Sequence, residues 1–210
     1  MKTVILCGGL GTRLSEETHL KPKPMVEIGN KPIVWHIMKK YENFGFNDFI
    51  LALGYKGDYV KDYFVNYNIR TSDIHINTLT GKIDLKTSPK EDWSVSLINT
   101  GLHTFTGGRL LRLKENISET FMLTYGDGVC DVNLSELVKF HKSHGKIATV
   151  TSVRPPARFG DMKIEETKVV KFKEKPQTQN GWINGGYFVI EPEFLDLIKG
   201  DDTILEKDPL

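Results

Sequence analysis

Residues 4–25 read VILCGGLGTRLSEETHLKPKPM, and this stretch decides the fold. Its first part, residues 4–6, is a short apolar run that ends at a cluster of glycines within residues 8–11. Such a pattern is typical of a buried strand that leads into a loop at the carboxyl edge of a sheet. A loop with little side-chain bulk lets backbone N–H groups approach an anion closely. The stretch therefore predicts an α/β fold with a phosphate-binding loop.

Two cations follow this loop at short distance. Thr12 and Arg13 add a hydroxyl and a planar charged group that suits phosphate oxygens. In the segment Lys21–Pro24 two prolines restrict the backbone around Lys23 and hold its ammonium on a stiff tether. We interpret the whole stretch as a triphosphate site with Arg13 and Lys23 aimed at it. The glycines alone would also fit an ordinary strand-to-helix turn.

The two best-known glycine-rich nucleotide loops do not fit the spacing. A P-loop needs Lys followed by Ser or Thr directly after its last glycine, and this chain lacks that pair there. A dinucleotide fingerprint needs a third small residue where Leu14 stands. A dehydrogenase is therefore the last of the alternatives.

The chain resembles the sugar-1-phosphate nucleotidyltransferases in the signature formed by residues 8–18, 21–25 and 28–33. Within that family, the sequence is most similar to the members that use CTP. The resemblance runs through nearly the whole chain. It implies a Rossmann-like nucleotidyltransferase fold, with a mostly parallel mixed sheet and helices on both faces. It also implies a single domain over residues 1–210 that lacks its C-terminal segment.

Composition excludes several other functions. The chain has 28 basic and 27 acidic residues, so its net charge of +1 implies neither nucleic acid nor an anionic membrane as a partner. Cys7 and Cys130 have no CxxC spacing and no secretory leader precedes them, which predicts a reduced, cytoplasmic protein. Cys7 is interpreted as a small buried residue rather than a reactive thiol.

Alternating strand and helix patterns continue the α/β reading. Apolar spacing predicts a helix over Lys31–Phe44, a strand over Phe49–Leu53 and a further helix through Tyr67. Residues 72–87 change to an alternating pattern around a turn, which predicts a β-hairpin outside the main sheet. Such an excursion often serves as a contact between copies, so we expect a homo-oligomer. The next strand is marked by residues 93–97.

A second ligand-facing loop is predicted over Asn99–Arg109, ahead of a helix from Leu110 to Lys114. In the family that the chain resembles, Thr104 and Arg109 would read the cytosine. The chemistry agrees, because cytosine presents acceptors at O2 and N3 and a guanidinium offers donors alone. The alternative is a capping loop with an exposed Arg109.

The segment Phe121–Val129 predicts a buried strand that ends in Gly-Asp-Gly, where ligands bind in open α/β sheets. The resemblance assigns Asp127 to a Mg²⁺ ion and places Gly126 close to the nucleotide. Asp131 is interpreted as the cap of a helix over Leu134–His144, and the two histidines of that helix, His141 and His144, as solvated.

The sugar phosphate is assigned by resemblance to the last third of the chain, after a predicted core strand over Lys146–Val153. Glu174 would accept hydrogen bonds from sugar hydroxyls and Lys175 would meet the phosphate, although an exposed strand edge is the alternative. The hexose pocket would further contain Gly160, Asn184 and Gly185.

The final residues predict a helix start. Thr203–Glu206 has the form of a capping box, and Asp208–Leu210 has the form of a second helix start. Members of the resembled family continue further and supply a second metal-binding aspartate, for which this chain has no counterpart. The activity of these 210 residues is therefore open.

The resemblance implies transfer of CMP from CTP to a hexose 1-phosphate, with Mg²⁺ as cofactor. The hexose 1-phosphate that it favours is α-D-glucose 1-phosphate. The product would feed dideoxy sugars of bacterial surface polysaccharide. Alternatives are the same chemistry with UTP or dTTP, or a catalytically silent subunit that binds nucleotide sugars. Arg13 and Lys23 are the predicted catalytic residues. The predicted nucleotide-binding residues are Leu6, Cys7, Gly8, Gly9, Leu10, Gly11, Thr12, Arg13, Lys23, Thr104, Arg109 and Gly126.

Overall fold

The computed structural model describes residues 1–11, 20–155, 161–173 and 181–210 of the 210-residue chain. Its strands are β1 (Thr3–Cys7), β2 (Glu27–Ile28), β3 (Lys31–Pro32), β4 (Asp48–Leu53), β5 (Ile74–Ile76), β6 (Ile83–Leu85), β7 (Ser94–Asn99), β8 (Phe121–Tyr125), β9 (Ala148–Val153), β10 (Asp161–Glu165), β11 (Lys168–Lys173) and β12 (Ile183–Ile190). The helices of the described residues are α1 (Ile33–Glu42), α2 (Gly57–Val65), α3 (Tyr67–Thr71), α4 (Thr106–Leu111) and α5 (Leu134–His144), with short 3₁₀ turns at Lys23–Met25, Lys114–Asn116 and Pro192–Leu197.

A six-stranded sheet in the order β7-β4-β1-β8-β12-β9 forms the centre of the molecule. Neighbours from β7 to β8 pair in parallel, whereas β12 pairs antiparallel to both β8 and β9. This confirms the predicted α/β fold with a mostly parallel mixed sheet. Since β1 and β8 are adjacent and parallel, their carboxyl ends meet at one edge, with Leu6 opposite Tyr125.

Both faces of the sheet are covered, as predicted. Ile5 belongs to an apolar cluster that includes the buried side of α1, from Ile33 to Tyr41. Val4 and Leu6, which point to the other face of the strand, belong to a second cluster with Leu110 of α4. Every residue of β1 is buried, which agrees with a strand between two layers.

The predicted hairpin is confirmed as a separate two-stranded sheet of β5 and β6. Its role as a contact between copies stays a prediction. The helix predicted through Tyr67 is interrupted at Asn66, which ends α2 and bonds through its side chain to Asp62 at 2.8 Å.

Helix α4 begins at Thr106, four residues before the predicted start at Leu110. The predicted loop includes two glycines, but in the structure they lie within the helix and pack against residues 201–203. The Gly107 N–H donates to the Thr203 carbonyl at 3.0 Å, and a Cβ on Gly108 would lie 2.5 Å from the Asp201 carbonyl oxygen. The glycines therefore permit a close approach between backbones rather than a flexible loop.

Helix α5 has the predicted bounds, but two details of its prediction were wrong. Its cap is Asn133, whose side chain accepts from the Glu136 N–H at 3.1 Å, and not Asp131. His141 is 2 % exposed rather than solvated. Its ring bonds Thr149 Oγ1 at 2.8 Å and Glu191 Oε1 at 3.0 Å, because β9 and the residue after β12 lie against the helix.

Two further predictions differ from the structure. Strand β9 lies at the edge of the sheet, so most of its side chains are exposed or half-buried and it is not a core strand. Residues 203–206 form no capping box, since Glu206 bonds Thr106 Oγ1 at 2.8 Å instead of its own segment. The local sequence pattern predicts that Glu206 forms a hydrogen bond, but it does not predict the distant partner Thr106.

Candidate functional site

A cavity of about 310 Å³ lies at the edge of the sheet where β1 and β8 end. It brings together most of the nucleotide-site residues that the sequence predicts within the described ranges, together with Asp127. Its lining consists of Leu6, Cys7, Gly8, Gly9, Gly11, Lys23, Pro24, Thr104, Phe105, Thr106, Arg109, Tyr125, Gly126 and Asp127. Leu10, Asn184 and Gly185 lie outside this lining. Ligands bind at this position in open α/β sheets.

The glycine loop is fixed to its neighbours through the backbone. The Gly126 N–H donates to the Leu6 carbonyl at 3.0 Å, and the Tyr55 N–H donates to the Gly8 carbonyl at 3.2 Å. A Cβ on Gly126 would lie 2.9 Å from the Leu6 oxygen, so glycine is required for this close approach. The loop that follows β1 and the turn that follows β8 therefore form one continuous wall of the cavity.

Lys23 and Asp127 form an ion pair within the cavity lining. Lys23 Nζ lies 2.5 Å from Asp127 Oδ2, although the two residues are 104 positions apart. Pro22 precedes the 3₁₀ turn that contains Lys23, which fixes the direction of the lysine as the proline pattern predicts. The Asp127 carboxylate is thus already paired with a cation.

Arg109 donates hydrogen bonds to three chain segments at the end of the sheet, which lie at the carboxyl ends of β1, β4 and β7. The side chain is 4 % exposed, so the alternative of an exposed arginine is wrong. The Nη2 group donates to the Gly8 carbonyl at 2.9 Å. The Nη1 group donates to acceptors at 2.7–3.1 Å, which are the carbonyl oxygens of Leu53 and Gly101 and the hydroxyl of Thr100. Burial lowers the pKa of Arg109, and the nearby charge of Arg112 lowers it further.

A hydrogen-bonded network that the sequence did not predict lies beside the cavity. The Tyr125 hydroxyl donates to Glu206 and accepts from Asn184 Nδ2 at 3.1 Å. Thr106 Oγ1 donates to the other carboxylate oxygen of Glu206 at 2.8 Å. The position of Tyr125, directly before Gly-Asp-Gly at a strand end, was a usable signal for its location. Glu206 had no comparable signal, because its spacing from Thr203 matches a capping box.

The thiol of Cys7 lines the cavity but is not available as a nucleophile. It is 1 % exposed and free. Burial raises its pKa above the ordinary thiol value, and the negative charge of Asp127 raises it further. The thiol therefore stays neutral, which agrees with the interpretation of Cys7 as a small buried residue.

Several predicted residues lie outside the described ranges, namely Thr12, Arg13, Gly160, Glu174 and Lys175. Their roles stay predictions. Within the described residues no three His, Cys, Asp or Glu side chains form a group that could hold a metal ion. In the same residues no helix is both long and apolar enough to cross a membrane.

Comparison with known proteins finds similarity over the full length. The family described as Nucleotidyl transferase matches residues 2–209. The chain is 50% identical to glucose-1-phosphate cytidylyltransferase of Salmonella typhi, over 100% of the chain and 82% of that protein. It is 44% identical to a probable glucose-1-phosphate cytidylyltransferase of Bacillus subtilis, over 100% of the chain and 83% of that protein. The solved structure of HddC from Yersinia pseudotuberculosis is similar with a TM-score of 0.67 at 25% identity, and covers 99% of this chain and 84% of that one.

Proposed function

The chain belongs to the nucleotidyl transferase family, and on this premise we propose that it transfers the CMP moiety of CTP to α-D-glucose 1-phosphate. The products would be CDP-glucose and pyrophosphate. The observation that supports this most is the 50% identity, over the whole chain, to the cytidylyltransferase of Salmonella typhi. The cavity supports it independently, because a glycine loop, a lysine and an aspartate suit a nucleoside triphosphate.

The triphosphate would lie along the glycine loop. Backbone N–H groups of residues 8–11 would bind its oxygens, as small residues at the end of β1 permit. Lys23 would leave Asp127 and offset the negative charge that grows on the departing pyrophosphate. Arg13 would add a second cation, as the resemblance of the signature implies. The main task of these groups is positioning and charge stabilisation during in-line transfer.

A general base is not required. The second pKa of a phosphate monoester lies near ~6, so the sugar phosphate is largely dianionic at neutral pH and already nucleophilic. Cys7 in the cavity lining would not act as a base, because burial raises its pKa and keeps the thiol neutral. Lys175 would hold the attacking phosphate, so that two anionic groups can approach each other.

Asp127 would hold Mg²⁺. The residues fit this ion, since a carboxylate oxygen that already has the Lys23 ammonium at 2.5 Å is a hard ligand in a place that favours a cation. Mg²⁺ commonly binds through one or two carboxylates plus substrate phosphates, which agrees with a single described carboxylate in the cavity lining. When bound, the ion would neutralise charge on the phosphate oxygens.

Thr104 and Arg109 would meet the cytosine. Both residues lie in the cavity lining, and Thr104 is buried. The guanidinium would exchange part of its present acceptors, such as the Gly8 carbonyl at 2.9 Å, for the O2 and N3 acceptors of cytosine. On the other side of Tyr125, Asn184 and Gly185 would contact the hexose, together with Gly160 and Glu174.

The reaction is tested by pyrophosphate release with glucose 1-phosphate and a panel of nucleoside triphosphates. We expect turnover with CTP and much less with UTP or dTTP. Turnover with UTP or dTTP but not with CTP would contradict the cytosine assignment. Binding of CTP without any pyrophosphate release would contradict the enzymatic activity itself.

The role of Lys23 has a matched control in Lys21. Lys23→Ala should lower kcat by ~10²–10³, as expected for loss of a preorganised transition-state donor. Lys21 belongs to the same proline-bounded segment but pairs with Glu27 at 3.2 Å and lies outside the cavity lining. Lys21→Ala should therefore keep near-normal turnover. Equal effects of the two variants would refute the role of Lys23.

A further inference from the structure

The segment 200–206 is held against helix α4 by backbone contacts. The Phe105 N–H donates to the Asp201 carbonyl at 2.9 Å, and the Gly107 N–H donates to the Thr203 carbonyl at 3.0 Å. Arg112 adds two hydrogen bonds to the Asp201 carboxylate, at 2.8 and 2.5 Å. These contacts fix the course of the segment up to its last residue, Glu206.

Glu206 thereby contacts two residues of the cavity lining from behind. One carboxylate oxygen accepts from Thr106 Oγ1 at 2.8 Å and the other accepts from the Tyr125 hydroxyl. The Leu205 N–H donates to the same Thr106 oxygen at 3.0 Å, which fixes the threonine hydroxyl as the donor toward Glu206. Both partners of the carboxylate, Thr106 and Tyr125, belong to the cavity lining.

The Tyr125 ring is itself held in place by packing. A Cβ on Gly186 would lie 3.0 Å from Tyr125 Cδ2, so the ring lies directly on this glycine. The ring also meets Phe188 edge-on, with centroids 6.0 Å apart. Burial raises the pKa of Tyr125, and the hydrogen bond to Glu206 raises it further. The hydroxyl therefore remains a donor to Glu206 and has a lone pair for Asn184.

The Asn184 carboxamide is oriented at both ends. Its Nδ2 donates to the Tyr125 hydroxyl at 3.1 Å, and its Oδ1 accepts from the Gly186 N–H at 2.7 Å. A carboxamide has two N–H donors and two acceptor lone pairs, so one of each remains for a ligand. If the amide were rotated by half a turn, its Nδ2 would face the Gly186 N–H donor and its Oδ1 would face the lone pair of the Tyr125 hydroxyl.

We propose that Glu206 is a positioning residue for the hexose, which acts through Tyr125 to fix the direction of the free donor and acceptor of Asn184. This inference rests on the proposed function. A sugar hydroxyl that meets Asn184 needs a donor and an acceptor in defined places. Without Glu206, the tyrosine hydroxyl can turn and donate to other acceptors, and the Gly186 N–H remains as the orienting contact of the amide.

The test measures the kinetics of Glu206→Ala, Glu206→Gln and Tyr125→Phe with CTP and glucose 1-phosphate. Loss of one hydrogen bond to a charged group should raise the KM for glucose 1-phosphate about 10-fold in Glu206→Ala and in Tyr125→Phe. The KM for CTP should stay within about 2-fold in the same variants, since no interaction to the nucleotide is removed. Glu206→Gln keeps one oxygen for the tyrosine and should recover most of the affinity.

A set of monodeoxy glucose 1-phosphates gives a readout that a merely structural role would not change. The wild-type chain should reject one analogue most strongly, the one that lacks the hydroxyl bound by Asn184. Glu206→Ala should reduce that discrimination and leave the discrimination against the other analogues unchanged. In an Asn184→Ala background, Glu206→Ala should have no further effect on the KM for glucose 1-phosphate.

Asp208→Asn is the matched control, because it removes one negative charge two residues after Glu206 in the chain. It should leave both KM values unchanged. A rise of the KM for CTP equal to that for glucose 1-phosphate in Glu206→Ala would overturn the inference, and so would additive effects with Asn184→Ala. If the wild-type chain shows no turnover with these substrates, the proposed function itself fails, which is a different result.

Discussion

Gly8→Ala should displace Arg109 from the end of the sheet, whereas Gly9→Ala should not. A Cβ on Gly8 would lie 2.2 Å from Arg109 Nη1 and 2.3 Å from Cζ, while a Cβ on Gly9 would have no atom within 4 Å. Neither glycine is among the described residues with positive φ, so alanine can adopt the backbone conformation at both positions. The pair therefore isolates the contact with the guanidinium.

The cost follows from the hydrogen bonds that Arg109 makes. To reach an ordinary contact distance of ~3.5 Å, the guanidinium must retreat by about 1 Å. Hydrogen bonds of 2.7–3.1 Å to Gly8, Leu53, Thr100 and Gly101 would then be stretched beyond useful length. Bonds to a charged group contribute about 1.5–3 kcal/mol each, so loss of two of them predicts about 3 kcal/mol of destabilisation. Gly9→Ala should change stability by less than ~1 kcal/mol.

Urea unfolding followed by circular dichroism measures both variants. With an m-value of ~3 kcal/mol/M, a loss of 3 kcal/mol lowers the midpoint by about 1 M. The effect should disappear in an Arg109→Ala background, where the guanidinium is absent and the new methyl group has space. Equal midpoints for Gly8→Ala and Gly9→Ala, or a full effect of Gly8→Ala without the arginine, would refute the reasoning.

Three further measurements test other features of the structure. Asn133→Ala should destabilise the chain by about 1 kcal/mol in thermal or urea unfolding, whereas Asp131→Ala should have little effect, because the asparagine is the observed cap of α5. Cys7 should not react with a thiol reagent in the folded state of a variant that lacks the other cysteine, and should react after unfolding; labelling of the folded chain would contradict the burial. Burial raises the pKa of Glu191, but hydrogen bonds from a threonine hydroxyl and a histidine ring outweigh it and the net pKa is lowered. A lowered pKa stabilises the fold above the unfolded-state pKa, and this stabilisation is lost as the pH falls through the folded-state pKa. Glu191→Gln should therefore destabilise the chain at neutral pH and have a smaller effect at acid pH, where Glu191 is protonated in both states; a pH-independent difference would contradict this.

Three central strands of the sheet, β1, β4 and β8, could be predicted from sequence because they are short apolar runs followed by glycine. The run at residues 4–6 predicted β1, and the run at 49–53 predicted β4 within one residue. The glycine loop and Asp127 could be predicted to converge, because each follows a predicted strand and parallel strands end at the same edge of a sheet. Lys23 was predicted from the prolines around it and from its short distance to the loop in sequence. These features depend on local pattern and on one general rule of topology.

Interactions across long sequence distances could not be predicted in the same way. Glu206 has the spacing of a capping box, but its partners Thr106 and Tyr125 lie 100 and 81 positions away. His141 shares a helix face with His144 and gives no local sign of burial, because its partners come from β9 and from the residue after β12. Arg109 is similar, since a charged residue beside two glycines is usually exposed and this one is buried among backbone carbonyls.

The reversed direction of β12 has a consequence for how such enzymes diversify. Asn184 stands at the start of its strand, whereas the phosphate loop and Asp127 follow the ends of theirs, so the two halves of the proposed site are encoded in separate stretches of chain. Mutations around residue 184 can accumulate without touching the charged groups near residues 8–23. A change of sugar preference at residue 184 would have to keep the contact with Tyr125, whereas the glycine loop could stay unchanged.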